Sequence, residues 1–200
     1  MKTLLNGLLL TLNPSVGWRA VRDDAPGLVR LYLLHTIPFA LIPAGCWYLG
    51  VTRQGWEFSG EVIKLTPDSA LQMCVLFFFA MIAGVFFLGY MVHWMAASYA
   101  SRSTLTDGVT LISYTASPFF LAGVLGLVPL LWIDLLVGMA VACYCIYLLY
   151  RGTPLILQVP RERGFLYASA VFAVALVALV GLMGTTIVLW DFGVAPEYTY

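Results

Sequence analysis

The chain has 200 residues, of which 62% are hydrophobic and 10% charged, with ten basic and ten acidic side chains and a net charge of zero. An average soluble domain is about 25% charged, so the bilayer is the solvent here and the length leaves room for one membrane domain and no soluble one. With a net charge of zero and no strongly basic face, nothing points to nucleic acid as a partner.

The opening stretch, MKTLLNGLLLTLNPS, has an apolar core too short and too interrupted, at Asn6 and Gly7, for a secretory signal, and no small-x-small cleavage pattern follows. Leu4, Leu5, Leu8, Leu9 and Leu12 share one helical face, which predicts a short amphipathic helix lying on the membrane and ending at Asn13-Pro14. Residues 1–27 read as a cytoplasmic segment. Within it Arg19, Arg22, Asp23 and Asp24 are charged, while Trp18 and Val21 suit the interface. The first span is expected over 28–51, kinked or locally broken by Pro38 and Pro43.

Thr52 to Ser69 is the most polar part of the chain and reads as a solvated connector. The second span, 70–98, is longer than a bilayer needs and should tilt or protrude. From Val109 to Tyr150 the only charge is Asp134. At roughly 20 apolar residues per span, this run makes a helical hairpin of a third span, 109–131, and a fourth, 133–150, turning around Pro129, Trp132 and Asp134. The segment from Arg151 to Gly164 holds Pro154, Pro160, Arg161 and Arg163, and its Leu155-Ile156-Leu157 patch is expected to dip into the interface. A fifth span over 165–190 and an external tail, 191–200, complete the chain. The fold class is all-α: a polytopic membrane protein with five transmembrane helices in a compact bundle over 28–190, plus the short N-terminal helix.

Orientation follows from the positive-inside rule. With the N-terminus cytoplasmic, inner segments carry Lys2, Arg19, Arg22, Arg30, Arg102, Arg151, Arg161 and Arg163, and outer ones only Arg53 and Lys64. The aromatic belt agrees, with Trp47, Trp56, Trp132 and Trp190 at outer ends and Trp94, Tyr99, Tyr150 and Tyr167 at inner ends. The C-terminus is then outside. Small residues four apart, at Ala40/Ala44, Ala80/Gly84, Ala122/Gly126, Gly138/Ala142 and Ser169/Ala173, would let helix backbones approach closely.

Few polar groups lie within the spans. His35 precedes Pro38 by three residues, and His93 sits near the inner end of the second span beside Trp94. The third span brings Ser113, Tyr114, Thr115 and Ser117 to similar depth just before Pro118, and the fourth brings Tyr144 and Tyr147. A polar cavity lined by His35, Tyr90, His93, Tyr114, Ser117 and Tyr147 is one reading. Histidines at headgroup level and hydroxyls bonded back to their own helices is the plainer one. No Asp, Glu, Lys or Arg lies at mid-membrane, where ion-coupled transporters keep one, and Asp134 reads as an interfacial cap. Cys46, Cys74, Cys143 and Cys145 fall in apolar runs and do not form a zinc-ligand pattern. No hydrolase triad, zincin or phosphate-loop motif can be read, so neither an enzyme nor a metal or cofactor is expected.

Several stretches carry a family resemblance: Asn13-Pro14, Gly89-Tyr90 through Trp94-Met95-Ala96, Tyr114 through Pro118 with Phe119 and Leu121, and Leu148 through Pro154. In order and spacing they resemble the Yip family (Ypt-interacting proteins) in its bacterial inner-membrane branch, over nearly the whole chain. The resemblance implies a five-pass protein that assembles with its like and influences membrane shape, without catalytic residues. Eukaryotic members bind Rab-type GTPases. Their cytoplasmic Asp-Leu-Tyr-Gly-Pro motif has no counterpart before the first span here, and about 27 residues offer a folded GTPase little surface. A GTPase partner is therefore doubtful.

Two functions follow as expectations. The first is a non-enzymatic inner-membrane protein acting through homo-oligomers, other membrane proteins or lipid organisation, with Arg19, Arg22, Arg161 and Arg163 on anionic headgroups. The second is a small channel or transporter that uses Pro38 and Pro118 as helix breaks and the polar residues above as its lining.

Overall fold

Capping residues and prolines decide where the helices of this chain begin. Asn13 accepts from the Val16 amide ahead of Pro14, and Thr66 accepts from the Ser69 amide ahead of Pro67. Thr104 and Asp107 form a reciprocal capping box. Pro at the first helical position loses nothing, because that N–H has no intrahelical partner. The computed structural model describes residues 2–58 and 61–199. Among them are α1 (Lys2–Leu12) and α2 (Pro14–Asp24), followed by five helices long and apolar enough to cross a membrane. These are α3 (Leu28–Arg53), α4 (Pro67–Tyr99), α5 (Leu105–Leu127), α6 (Leu131–Ile156) and α7 (Glu162–Phe192). The fold is an all-α, five-span membrane bundle.

Two spans are irregular at prolines. In α3 a π-turn over Tyr32–Thr36 precedes Pro38, which lacks the N–H that would close the turn back to Leu34. Pro43 lies inside the same span and is buried. The third span, α5, breaks after Thr115, restarts at Ser117 with Pro118 in its first turn, and tightens to a 3-10 helix over Gly123–Leu127.

Several expectations are corrected. Thr52 to Ser69 is no plain connector: β1 (Trp56–Phe58) and β2 (Glu61–Leu65) pair antiparallel within it. The tail strand β3 (Tyr198–Thr199) then pairs with β2, Lys64 opposite Thr199 and Leu65 opposite Tyr198. The Glu197 amide donates to Ser69 Oγ and the Thr66 amide to the Glu197 carbonyl, tying the tail to the start of α4. The hairpin between the third and fourth spans turns at 128–130, so Trp132 and Asp134 belong to α6. Helix α6 also continues through Pro154 to Ile156, and Ile156 and Leu157 are buried in the protein core instead of dipping into an interface.

The main core lies towards the end where Arg30, Arg102 and Arg151 emerge, here called the basic end. It contains Leu10, Trp18 and Val21 from α1 and α2, Leu31 and Phe39 from α3, Val92 from α4, Leu111 and Tyr114 from α5, Leu148 from α6 and Tyr167 from α7. A smaller cluster, Val51, Leu65 and Ala70 with Trp47 and Trp56, sits at the strand end. Between these, the strand-end halves of α6 and α7 are exposed, including Leu135, Leu136, Met139, Val177 and Val180.

Close approach uses different small residues from most of those the four-residue spacing singled out. A Cβ on Gly84 or Gly138 would meet nothing within 4 Å, so those pairs face outward. A Cβ on Gly89 would sit 2.5 Å from Val109 Cγ2, and one on Gly108 would collide with the Gly89 carbonyl, which marks the α4–α5 contact. Gly50 meets Gly126, and Gly123 meets Pro43, in the α3–α5 contact. Overpacking such a site costs about 1–3 kcal/mol. Gly89→Val is therefore expected to lower the thermal unfolding midpoint in detergent clearly, while Gly84→Val, five residues away, leaves it unchanged.

Candidate functional site

His35 lies on the π-turn of the first span and has no exposed surface. Ser113 and Ser117 are four apart on the third span and so share a helix face. That face presents both hydroxyls to the ring: Nδ1 is 3.0 Å from Ser113 Oγ and Nε2 is 3.0 Å from Ser117 Oγ. One nitrogen donates and the other accepts in a neutral imidazole. Thr36 Oγ1 lies 2.8 Å from Ser113 Oγ and extends the chain of bonds. Phe39 stacks on the ring at 4.4 Å between centroids, and Tyr114 covers it at 4.2 Å with a 37° tilt.

The lid of this cluster is α1. A Cβ on Gly7 would stand 2.5 Å from His35 Nε2 and 3.0 Å from Phe39 Cζ, so glycine allows the helix to lie on the imidazole. The Tyr114 hydroxyl donates to the Thr3 carbonyl at 2.9 Å, and the Tyr144 hydroxyl donates to the Thr11 carbonyl at 2.8 Å. Thr11 is in the last turn of α1, where carbonyls have no helical partner, so Tyr144 acts as a cap from another helix. At the other end Thr3 donates to Asp24, which also pairs with Arg30 at 3.0 Å. Both ring nitrogens of His35 are thus within hydrogen-bond distance of serine hydroxyls, and the ring is fully buried.

The six residues read as one cavity lining do not stay together. His35, Tyr114 and Ser117 meet. Tyr90 and Tyr147 are 44% and 47% exposed, and Arg151 lies over the Tyr147 ring at 5.9 Å. His93 is exposed near the end of α4, where its Nδ1–H donates to the Ser103 carbonyl at 2.9 Å. Of the arginines singled out, Arg19, Arg22 and Arg163 are exposed; the side chain of Arg161 lies outside the described residues. Among the described residues no three His, Cys, Asp or Glu side chains gather as a metal site requires.

Sequence reasoning missed the partners that α1 supplies. Thr3, Asn6, Gly7 and Leu10 are its buried face, at the i, i+3, i+4, i+7 spacing of a helix stripe. The leucine face drew attention because it is apolar, although the polar, small face is the one that packs. Also missed was a cavity of about 260 Å³ at the basic end, lined by Arg102, Ser103, Asp107, Leu157 and Gln158. Ser101 Oγ donates to the Leu157 carbonyl beside it and joins the α4–α5 loop to the end of α6.

The Yip1 domain model matches residues 8–182 of the chain. Inner membrane protein YohC of Escherichia coli K12 is 37% identical over 182 residues, covering 90% of this chain and 93% of that protein. Inner membrane protein YohC of E. coli O6:H1 gives the same figures. No solved structure matches.

Removing the imidazole leaves the buried Ser117 hydroxyl without its partner and Ser113 with Thr36 alone, and an unsatisfied buried group costs about 1–3 kcal/mol. His35→Ala should therefore lower stability in detergent by at least about 2 kcal/mol once the vacated volume is added. His93→Ala, at an exposed position, should cost under about 1 kcal/mol. Denaturant titration of both variants checks the difference.

Proposed function

The chain belongs to the Yip1 domain family, and from that membership we propose that it is a non-enzymatic, multi-pass inner-membrane protein that assembles with itself or with other membrane proteins and organises the lipid around it. The observation that carries this reading is the closed polar cluster. His35, Ser113, Ser117 and Thr36 are bonded to one another beneath α1, and the apolar core continues around them. A channel would need Tyr90, His93 and Tyr147 on a common path with His35, and these three are exposed instead of gathered around it.

The basic end supports the lipid half of the reading. With the N-terminus cytoplasmic and the C-terminus outside, as the distribution of Lys and Arg favours, Arg19, Arg22, Arg161 and Arg163 belong to the side that meets the anionic leaflet. Each arginine near such a surface contributes about 1 kcal/mol. The long exposed apolar faces of α6 and α7 leave area for another copy or another membrane protein.

Reversing Arg19, Arg22, Arg161 and Arg163 to Glu should strip anionic phospholipid from the purified protein, read by quantifying lipid extracted from matched preparations. At about 1 kcal/mol per site, each single reversal lowers the anionic lipid affinity about fivefold. An unchanged lipid complement in the fourfold variant would reject the headgroup role.

A further inference from the structure

We propose that α1 and α2 form a re-entrant hairpin that enters the membrane from the basic end and turns at Asn13-Pro14 near mid-bilayer, with its leucine face against the acyl chains of that leaflet. This differs from the surface-lying helix that the leucine spacing suggests by itself, and it rests on the five-span fold, not on the headgroup role of the arginines.

Depth is set by the contacts of α1 and α2 with the spans. Tyr144, which donates to the Thr11 carbonyl, is close to the centre of Leu131–Ile156, about 18 Å from its basic end at 1.5 Å per residue. Gly7 lies on His35, seven residues inside the first span. Trp18, after the turn, packs on the site of Gly152, only four residues from the end of α6. From Thr11 to Trp18 the hairpin thus rises from the level of Tyr144 to that of Gly152. The eleven residues of α1 cover about 16 Å, about half of a ~30 Å hydrocarbon core.

Charge and hydrogen bonding agree with that depth. From Thr3 to Trp18 no side chain is charged, while Lys2 and Arg19 flank the stretch, so the uncharged hairpin begins and ends beside a cation. Within hydrocarbon a turn must satisfy its own polar groups, and several of the groups at this one are paired within it. The Asn13 amide donates to the Leu9 carbonyl, and the Gly17 amide donates to the Asn13 carbonyl. Asn13 Oδ1 accepts from the Val16 amide and from Ser15 Oγ. Thr11 Oγ1 donates to the Gly7 carbonyl, and Pro14 has no N–H to satisfy. The face left uncovered by protein is Leu4, Leu5, Leu8, Leu9 and Leu12, with Leu12 85% exposed.

The test uses the full chain with Cys46, Cys74, Cys143 and Cys145 replaced by Ala. A nitroxide is placed singly through Leu4→Cys, Leu8→Cys and Leu12→Cys, and the protein is reconstituted in phosphatidylethanolamine–phosphatidylglycerol vesicles. Collisional relaxation by oxygen and by a water-soluble nickel chelate then reports depth. The oxygen-to-nickel ratio should rise severalfold from the Leu4 to the Leu12 position; equal ratios at all three would overturn the hairpin. Alkylation of the Leu12→Cys thiol by a membrane-impermeant maleimide gives an independent reading. Protection until the membrane is dissolved supports the proposal, and full labelling in intact vesicles overturns it.

Discussion

The bonds between His35 and the two serines of α5 hold the first and third spans in one register, and much of the basic half of the molecule follows from them. They require the π-turn that brings His35 round to face α5, and that turn goes with the missing N–H of Pro38. They survive the irregularity at Ala116, after which Ser117 begins a new helical segment with its hydroxyl still on the imidazole. With ring and hydroxyls paired, the cluster can be buried in an apolar surrounding without the cost of unsatisfied polar groups. A glycine-faced helix, α1, closes it.

The two halves of the bundle differ in consequence. At the basic end all five spans and both short helices share one core, and loops are joined by side-chain bonds such as Ser101 to Leu157 and His93 to Ser103. At the strand end α3, α4 and the three strands pack together, while α6 and α7 present apolar faces outward. Lipid or another membrane protein can cover such faces at little cost, because hydrocarbon is as apolar as leucine. A shared core at the basic half, joined to an exposed apolar half, is the arrangement on which the proposed role in assembly and lipid organisation rests.

Much of this was legible in the sequence. Hydropathy and length located five spans because only a helix of about 20 residues can cross the bilayer with its backbone satisfied. Pro38 and Pro118 marked the irregular turns because proline removes a specific bond. The boundaries at 128–130 and at Ile156 were less legible: Asp134 looks like a loop residue but suits the first turn of α6, where a carboxylate is favoured. The pairing of β3 with β2 was hidden because a tail more than 130 residues away leaves no local signal, whereas the pairing of β1 with β2 is local and escapes a reading by polarity alone. His35, Tyr114 and Ser117 could be grouped from depth alone. Depth could not separate them from Tyr90, His93 and Tyr147, since it does not say which way a side chain faces around the helix. Gly7 carried no signal of its own; only the histidine beneath it explains why a side chain is absent there.

The proposed function is that of an assembled, lipid-bound membrane unit and not of a pathway across the bilayer. Native mass spectrometry of the protein released from its own membrane with lipids retained tests this most directly. A defined oligomer, or a defined complex with another membrane protein, carrying anionic phospholipid is the expected result. A lipid-poor monomer would contradict it.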